Sequence, residues 1–496
     1  MKASPAHARH RRAIDPTMSN GTEGAPGAAP ARSGGAVRRF LVLCFPTKGA
    51  FVLALLVCIL APGFLVVLHI HENPLLSPID EGAHLDYVTR VEHGSIPRLG
   101  QRLQPSTLRV TACSGVALPG AGLPPCSSNR LVPQQFPGGG YSYESQQPPT
   151  YYVLTAPLQL FNEHVLGFGE LEATRLVGVL WLAVGLLCLW AAGRVMGLAP
   201  GLIGAAVLLI GTAPAVIYQS AVVSNDAASV LAGSLVGLVA ALAWRHPGRW
   251  TAPGLLVTGL VVASFKTTDV IAVVAVAGVF AVGAWLDRRR GQPWTGATKD
   301  FLPRWWPNGG ALLLGGLVSA FGWVLISRHL ALTNPKTFPA FGVLRTAPVD
   351  LTKIAQEALA MFGPVTESYA AFRSSARAVP PESLQSINLQ AIMAKLLEYL
   401  LLAGGLAGLF VRRRAWYHWL GLVSVPLLYV GGVALGVSIW RSYAMDPGLS
   451  GRYGIAVAPF LAVALVAALR GIWLERGVWA FAILTFALSI YFMLAA

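Results

Sequence analysis

Residues 51–70 read Phe51-Val52-Leu53-Ala54-Leu55-Leu56-Val57-Cys58-Ile59-Leu60-Ala61-Pro62-Gly63-Phe64-Leu65-Val66-Val67-Leu68-His69-Ile70, twenty positions without an Asp, Glu, Lys or Arg. At 1.5 Å of rise per residue, a helix of this length crosses the roughly 30 Å hydrocarbon core of a bilayer. Working outward, similar stretches recur to give eleven predicted spans, near 51–70, 173–192, 199–217, 221–243, 252–266, 269–286, 309–328, 391–411, 416–438, 453–469 and 475–494. The whole chain agrees: 54% of it is hydrophobic and 12% charged, against roughly 25% charged in soluble domains. That composition excludes a soluble cytosolic enzyme and a secreted globular domain. Lipid leaves no water to satisfy backbone groups, so spans of this length are helical. The expected fold is therefore an all-α polytopic membrane protein with about eleven transmembrane helices.

The pair at 252–266 and 269–286 is too long for one crossing. Lys266, Thr267, Thr268 and Asp269 interrupt it, which predicts two short helices joined by a tight hairpin. Lys and Arg in short loops set orientation. With a cytoplasmic N-terminus, the tail and the loops at 193–198, 244–251, 287–308, 412–415 and 470–476 share one side. They carry 21 Lys/Arg and 5 Asp/Glu, leaving 16 and 17 for everything else. The Arg288-Arg289-Arg290 and Arg412-Arg413-Arg414 clusters both fall inside. The net charge of +15 is thus an orientation signal and calls for no nucleic acid. Arg outnumbers Lys by 30 to 7, which suggests a GC-rich bacterial source and hence a bacterial plasma membrane.

Residues 1–39 are rich in Pro, Gly, Ala and Arg without an apolar period, so they read as a disordered basic tail beside anionic headgroups, and not as a signal peptide. Residues 40–496 form the transmembrane domain. Two exterior loops, 71–172 and 329–390, are long enough to hold function. The second contains Asp350 to Phe362, with Leu351, Ile354, Ala358, Leu359 and Phe362 on one stripe, the pattern of an interfacial helix; Pro364 to Pro381 reads as irregular. Cys113 and Cys126 are alone in the first loop, where an oxidising exterior allows a disulfide; two unpaired thiols are the alternative. Cys44, Cys58 and Cys188 lie in or beside spans.

Just past the first span comes Ser77-Pro78-Ile79-Asp80-Glu81-Gly82-Ala83-His84-Leu85-Asp86-Tyr87-Val88. Ser77 suits an N-cap, Pro78 the first helical position, Asp80 the third and Gly94 the stop, predicting a short helix over 78–93. Asp80, His84, Tyr87 and Val91 share one face of it. First-turn acids also favour the helix dipole, so Asp80 and Glu81 have a purely capping explanation. A metal site from Asp80, Glu81 and His84 is a third possibility without a specific signature.

An acidic pair after the first span, followed by a His and an aromatic, resembles the first exterior loop of GT-C type glycosyltransferases. These polytopic enzymes include protein O-mannosyltransferases, aminoarabinose transferases and actinobacterial arabinosyl- and mannosyltransferases. Glu144-Ser145-Gln146-Gln147-Pro148-Pro149-Thr150-Tyr151-Tyr152 is similar to that family's Pro-Pro-aromatic start of a second interfacial helix. Ser224-Asn225-Asp226 and Gly451-Arg452-Tyr453 fit its pattern as well. The likeness covers topology and four short motifs, not identity along the chain.

The resemblance implies an inverting transfer of a pentose or hexose from a polyprenyl-phosphate donor to a cell-envelope glycan or lipid-linked acceptor, with no cofactor and commonly no catalytic metal. It implies Asp80 as the base that takes the acceptor's hydroxyl proton, with Glu81 orienting it or the acceptor. A neighbouring carboxylate raises a base's proton affinity. Arg452 and Lys266 are the first candidates for the donor phosphate, followed by Arg328, Arg345 and Arg441; snorkelling and a water-facing hairpin are the plain alternatives. His84 and Tyr453 are further candidates for donor or substrate contact. Asn225 and Asp226 either cap the fourth span or touch substrate. Gln147, Tyr151 and Tyr152 suit a sugar pocket, with interface anchoring the favoured reading for Tyr152. The rival functions are a transporter or flippase of lipid-linked sugars, which should place charges deep in its spans, and a non-catalytic scaffold.

Overall fold

The computed structural model describes residues 34–117, 122–290, 305–338, 350–364, 381–411, 415–444, 448–469 and 472–494. It divides into two units, 1–42 and 43–496; the described part of the first is the beginning of a helix, Gly34–Cys44. Of the disordered tail expected over 1–39, residues 34–39 are helical and 1–33 lie outside the described residues, as do Arg345, the second arginine cluster and the part at 365–380 of the segment expected to be irregular.

The second unit is helical, with no strand among the described residues and two isolated bridges, Leu76 with Val116 and Arg102 with Tyr141. Among the described residues, eight helices are long and apolar enough to cross a membrane: Lys48–Glu72, Glu170–Val195, Asn225–Arg245, Thr267–Leu286, Trp306–Leu330, Trp416–Tyr443, Gly451–Ala468 and Trp473–Leu494. This is a multi-pass membrane protein. The expected span at 199–217 is instead a bent pair, Pro200–Gly211 and Pro214–Ala221, meeting at 60°. Pro214 explains the break, because its ring removes an N–H and blocks the preceding turn. The expected hairpin gives one short helix, Thr251–Phe265, before Thr267–Leu286. Where the expectation placed 391–411, the helix is Pro381–Ala407.

Asn225–Arg245 and Gly451–Ala468 are the innermost of the eight, each 78% buried along its most apolar window, against 22% for Trp416–Tyr443 at the rim. A glycine sets their approach. A Cβ on Gly233 would stand 1.8 Å from the Ala456 carbonyl oxygen, so only hydrogen fits there. Gly233 lies two turns from Asp226 and Ala456 one turn from Arg452, so this contact brings both charged residues to the same end of the bundle.

The segment between the first two of these spans folds over that end. Its helices are Glu81–Glu92, Pro105–Ser114 and Thr150–His164, and Cys113 is bridged to Cys126. In the second loop, Asp350 Oδ1 accepts from the Lys353 amide at 3.0 Å and caps Leu351–Glu357, which tightens into a 3-10 turn over Ala358–Phe362. Ile354, Ala358 and Met361 face inward, while Leu351 and Leu359 of the expected stripe are exposed.

Candidate functional site

The helix expected to start at Pro78 starts at Glu81. Asp80 is its N-cap residue, in the left-handed region at φ 63° and ψ −3°, and its side chain makes no cap hydrogen bond. Its backbone carbonyl accepts from Ala83 and His84 at 2.9 and 3.1 Å, so the chain turns there without help from the carboxylate. This removes the capping explanation for Asp80. The freed carboxylate points across the bundle end. Oδ1 accepts from the Tyr143 hydroxyl at 3.0 Å and Oδ2 from an Arg452 guanidinium nitrogen at 3.2 Å.

Glu81 faces the other way and is fully buried. Its Oε1 accepts from Arg175 Nε and the Val223 amide at 2.7 and 2.8 Å; its Oε2 accepts from the Ser77 amide and Arg175 at 2.6 and 2.8 Å. With four bonds its acceptor capacity is filled. Arg175 also holds the carbonyls of Asn73 and Leu75 at 2.8 and 2.7 Å, which locks the linker from the first span. Glu81 positions the loop carrying Asp80. The expected carboxylate pair is therefore not Asp80 with Glu81.

A second acid stands near Asp80 from a different strand of chain. Glu144, which opens the Gln-Gln-Pro-Pro motif, is buried with its carboxylate 3.8 Å from His84 Nε2. Burial pushes Glu144 well above the usual carboxylate range, and the Asp80 charge adds to the rise against Arg452 and Lys266. His84 moves down to about 4, chiefly through burial, so it is neutral near pH 7; its Nδ1 meets the Tyr152 hydroxyl at 2.8 Å. Burial, then the Asp80 charge, raises the Tyr143 hydroxyl, which keeps it a donor to Asp80.

Lys266 is 2% exposed and donates to Asp226 Oδ1, so the expected water-facing hairpin charge is a buried ion pair instead. Its ammonium also lies 4.9 Å from the centre of the Tyr453 ring. Arg452 reaches from Asp80 towards Asp226 Oδ2, 3.8 Å away, and stands over the same ring at 5.3 Å. Asp226 does not cap its helix; the hydroxyl of Ser224 does, accepting from the Asp226 amide at 3.2 Å. Asn225 donates to the Gln147 side-chain oxygen at 3.2 Å, tying the Pro-Pro motif to the same cluster. Tyr151 packs on Trp181, and Tyr152 stacks on Tyr87 at 3.7 Å. Both tyrosines are buried within the protein, so the anchoring expected for Tyr152 is corrected.

The structure thus gathers Asp80, His84, Gln147, Asn225, Asp226, Lys266, Arg452 and Tyr453 around one bundle end. Glu144, Tyr143 and Arg175 join them unforeseen, as does Asp269, which accepts from Ser229 at 2.8 Å. Asp269 was visible as an acid breaking an apolar run, and Arg175 as a charge inside a predicted span, the kind of residue that needs a stated partner. Asp80 is the accessible carboxylate of the cluster: its side chain is 28% exposed, against 7% for Glu144 and 2% for Asp226. A cavity of about 30 Å³ adjoins it, lined by Ser77, Pro78, Phe136, Tyr141 and Tyr143, space for water rather than a sugar. Among the described residues no group of His, Cys, Asp and Glu is placed to hold a metal.

No protein-family model, curated protein or solved structure matches the chain.

Proposed function

We propose that this protein is a membrane glycosyltransferase that moves a pentose or hexose from a polyprenyl-phosphate donor to a cell-envelope glycan or lipid-linked acceptor. On this reading the N-terminus is cytoplasmic and the reaction runs on the exterior face of a bacterial plasma membrane. The observation that carries it is the Asp80 carboxylate, half-buried between the Tyr143 hydroxyl and the Arg452 guanidinium, with the Lys266 ammonium beyond. The likeness of its four motifs to GT-C enzymes supports it. So does the siting of the charges at helix ends, where surface chemistry needs them, rather than halfway along spans as transport would.

In the proposed reaction Asp80 accepts the proton of an acceptor hydroxyl as that oxygen bonds to the anomeric carbon. The bond from that carbon to the phosphate oxygen breaks on the opposite side, and the lipid phosphate leaves with the electron pair. Arg452 and Lys266 are the cations at hand for its charge; guanidinium can grip two phosphate oxygens where ammonium acts as a point charge. Arg452 is engaged by Asp80 in this structure, so a phosphate that draws it away also releases Asp80 to act as base. Glu144, held protonated by burial, adds no second negative charge beside the departing phosphate.

Glycan analysis of a deletion strain tests the reading directly. The deletion should remove a specific envelope sugar, the wild-type gene should restore it, and Asp80→Asn should not, although the variant is present in the membrane at normal level. Restoration by Asp80→Asn would sink the proposal.

A further inference from the structure

The spans Trp306–Leu330 and Trp416–Tyr443 end side by side, where Arg328 donates to the Ser442 hydroxyl at 2.7 Å. Between their ends lies a cleft of about 380 Å³ lined by Arg328, Ala434, Val437, Ser438, Arg441 and Ser442. Both arginines are exposed. Among the described residues neither pairs with a carboxylate, whereas Arg90, Arg175, Lys266 and Arg452 all do.

Each helix leads to its arginine along an apolar face. Phe321, Leu325 and Arg328 follow at intervals of four and three, as do Val430, Ala434, Val437 and Arg441 at four, three and four. Phe321, Leu325 and Val430 are among the exposed large hydrophobics. An arginine in a last turn complements the helix dipole and can snorkel from lipid. Those effects account for one arginine on one helix. They do not account for two converging on one cleft above two matched apolar tracks. That combination is the complement of an amphiphile with a compact dianionic head and a long chain.

We propose that this cleft docks the phosphomonoester head of a long-chain membrane lipid. Arg328 and Arg441 take the phosphate oxygens, the Ser438 and Ser442 hydroxyls can donate to them, and the chain lies along the two apolar faces. The cleft is close to the candidate site. Tyr443, next to Ser442, packs in the same cluster as Tyr143, whose hydroxyl bonds to Asp80. If the protein transfers sugar as proposed above, the lipid phosphomonoester is the product of the transfer, and this is where it rests on its way back to the bilayer. The lipid-binding claim itself does not depend on that chemistry.

The test is equilibrium binding of decaprenyl phosphate to the full-length protein in detergent, with decaprenol and inorganic phosphate as the chain-only and head-only probes. Decaprenyl phosphate should bind at least about tenfold more tightly than either. Arg328→Gln with Arg441→Gln should weaken it about tenfold or more, in keeping with the loss of charge-assisted contacts. Ala434→Trp, which fills the cleft without changing charge, should weaken it too, with an unchanged size-exclusion profile for both variants. Unaltered binding in the double arginine variant, or decaprenol binding as well as its phosphate, would overturn the proposal. Asp80→Asn separates the two readings. If it supported normal envelope glycan while the double arginine variant still lost binding of decaprenyl phosphate, the transferase reading would fall and the docking cleft would stand.

Discussion

At Asp80 the backbone is costly. A non-glycine residue in the left-handed region carries roughly 1–2 kcal/mol of strain, least for Asn and Asp, and Asp80 is one of two such residues described, with Ala444. The position wants a short polar side chain or none. Asp80→Gly and Asp80→Ala both delete the carboxylate and its bonds to Tyr143 and Arg452, but only alanine keeps the steric conflict. The glycine variant should therefore be the more stable of the two by about 1 kcal/mol, read as a higher melting temperature in the same detergent. Equal melting temperatures would mean the turn relaxes. This geometry was not legible in the sequence. Ser77 and Pro78 satisfied every rule for a helix start, yet the Glu81 carboxylate accepts the Ser77 amide and Arg175 seizes the preceding carbonyls, so tertiary contacts move the start to Glu81. The acidic pair itself was easy to notice in a chain so poor in charge. Its division into one half-buried acid and one fully buried tie depends on Arg175, 94 residues away, a pairing that no local pattern announces.

Among the elements, the short helices Glu81–Glu92 and Thr150–His164 owe their pairing to the stacked Tyr87 and Tyr152 and to His84, the face that the spacing of three and four predicted. Their far ends, with the start of Glu170–Val195, crowd acids. Burial lifts Glu92 to about 7 from an ordinary 4.5, Glu170 and Glu163 adding to the rise and His93 opposing it. Between pH 4.5 and 7 the folded protein therefore holds a proton at Glu92 that the unfolded chain has lost, and stability declines as pH rises through that window. Glu92→Gln should lessen that decline, giving a larger gain in melting temperature at pH 8 than at pH 5. A gain independent of pH would indicate a packing effect. Element positions were mostly legible, because apolar length is a strong signal in a membrane chain. Element shapes were less so: the 60° bend before Pro214 had a proline to mark it, but the expected span ran straight through.

Across the whole molecule, the bundle is pinned at one end by buried charge. Asp226 and Lys266 are both 2% exposed at the side chain; Asp226 lies in the first turn of Asn225–Arg245 and Lys266 in the break between Thr251–Phe265 and Thr267–Leu286. Removing one partner of such a pair strands the other and typically costs about 3–5 kcal/mol, whereas replacing both with apolar groups of similar size is often neutral. Asp226→Ala should thus destabilise the protein severely, and Asp226→Leu with Lys266→Met should regain most of the loss in thermal unfolding. A double variant no better than the single would show that Arg452 and Asp269 need the pair as well. Fold class was legible throughout, since composition alone required membrane helices. The juxtaposition of residues 80, 226, 266 and 452 was not: Gly233 against Ala456 brings 226 and 452 together, and that contact has no period or motif.

The ion pair between Asp80 and Arg452 closes a separation of 372 residues. At a synthesis rate of about 5–20 residues per second, Arg452 leaves the ribosome roughly 20–75 seconds after Asp80. Asp226 and Lys266, 40 residues apart, are made within roughly 2–8 seconds of each other. The nascent chain thus neutralises this buried pair early, while Asp80 waits far longer for its arginine. The site is complete only when the span Gly451–Ala468 has been inserted, so a chain stalled before residue 452 can be membrane-embedded and largely packed while still lacking the cation that pairs with Asp80.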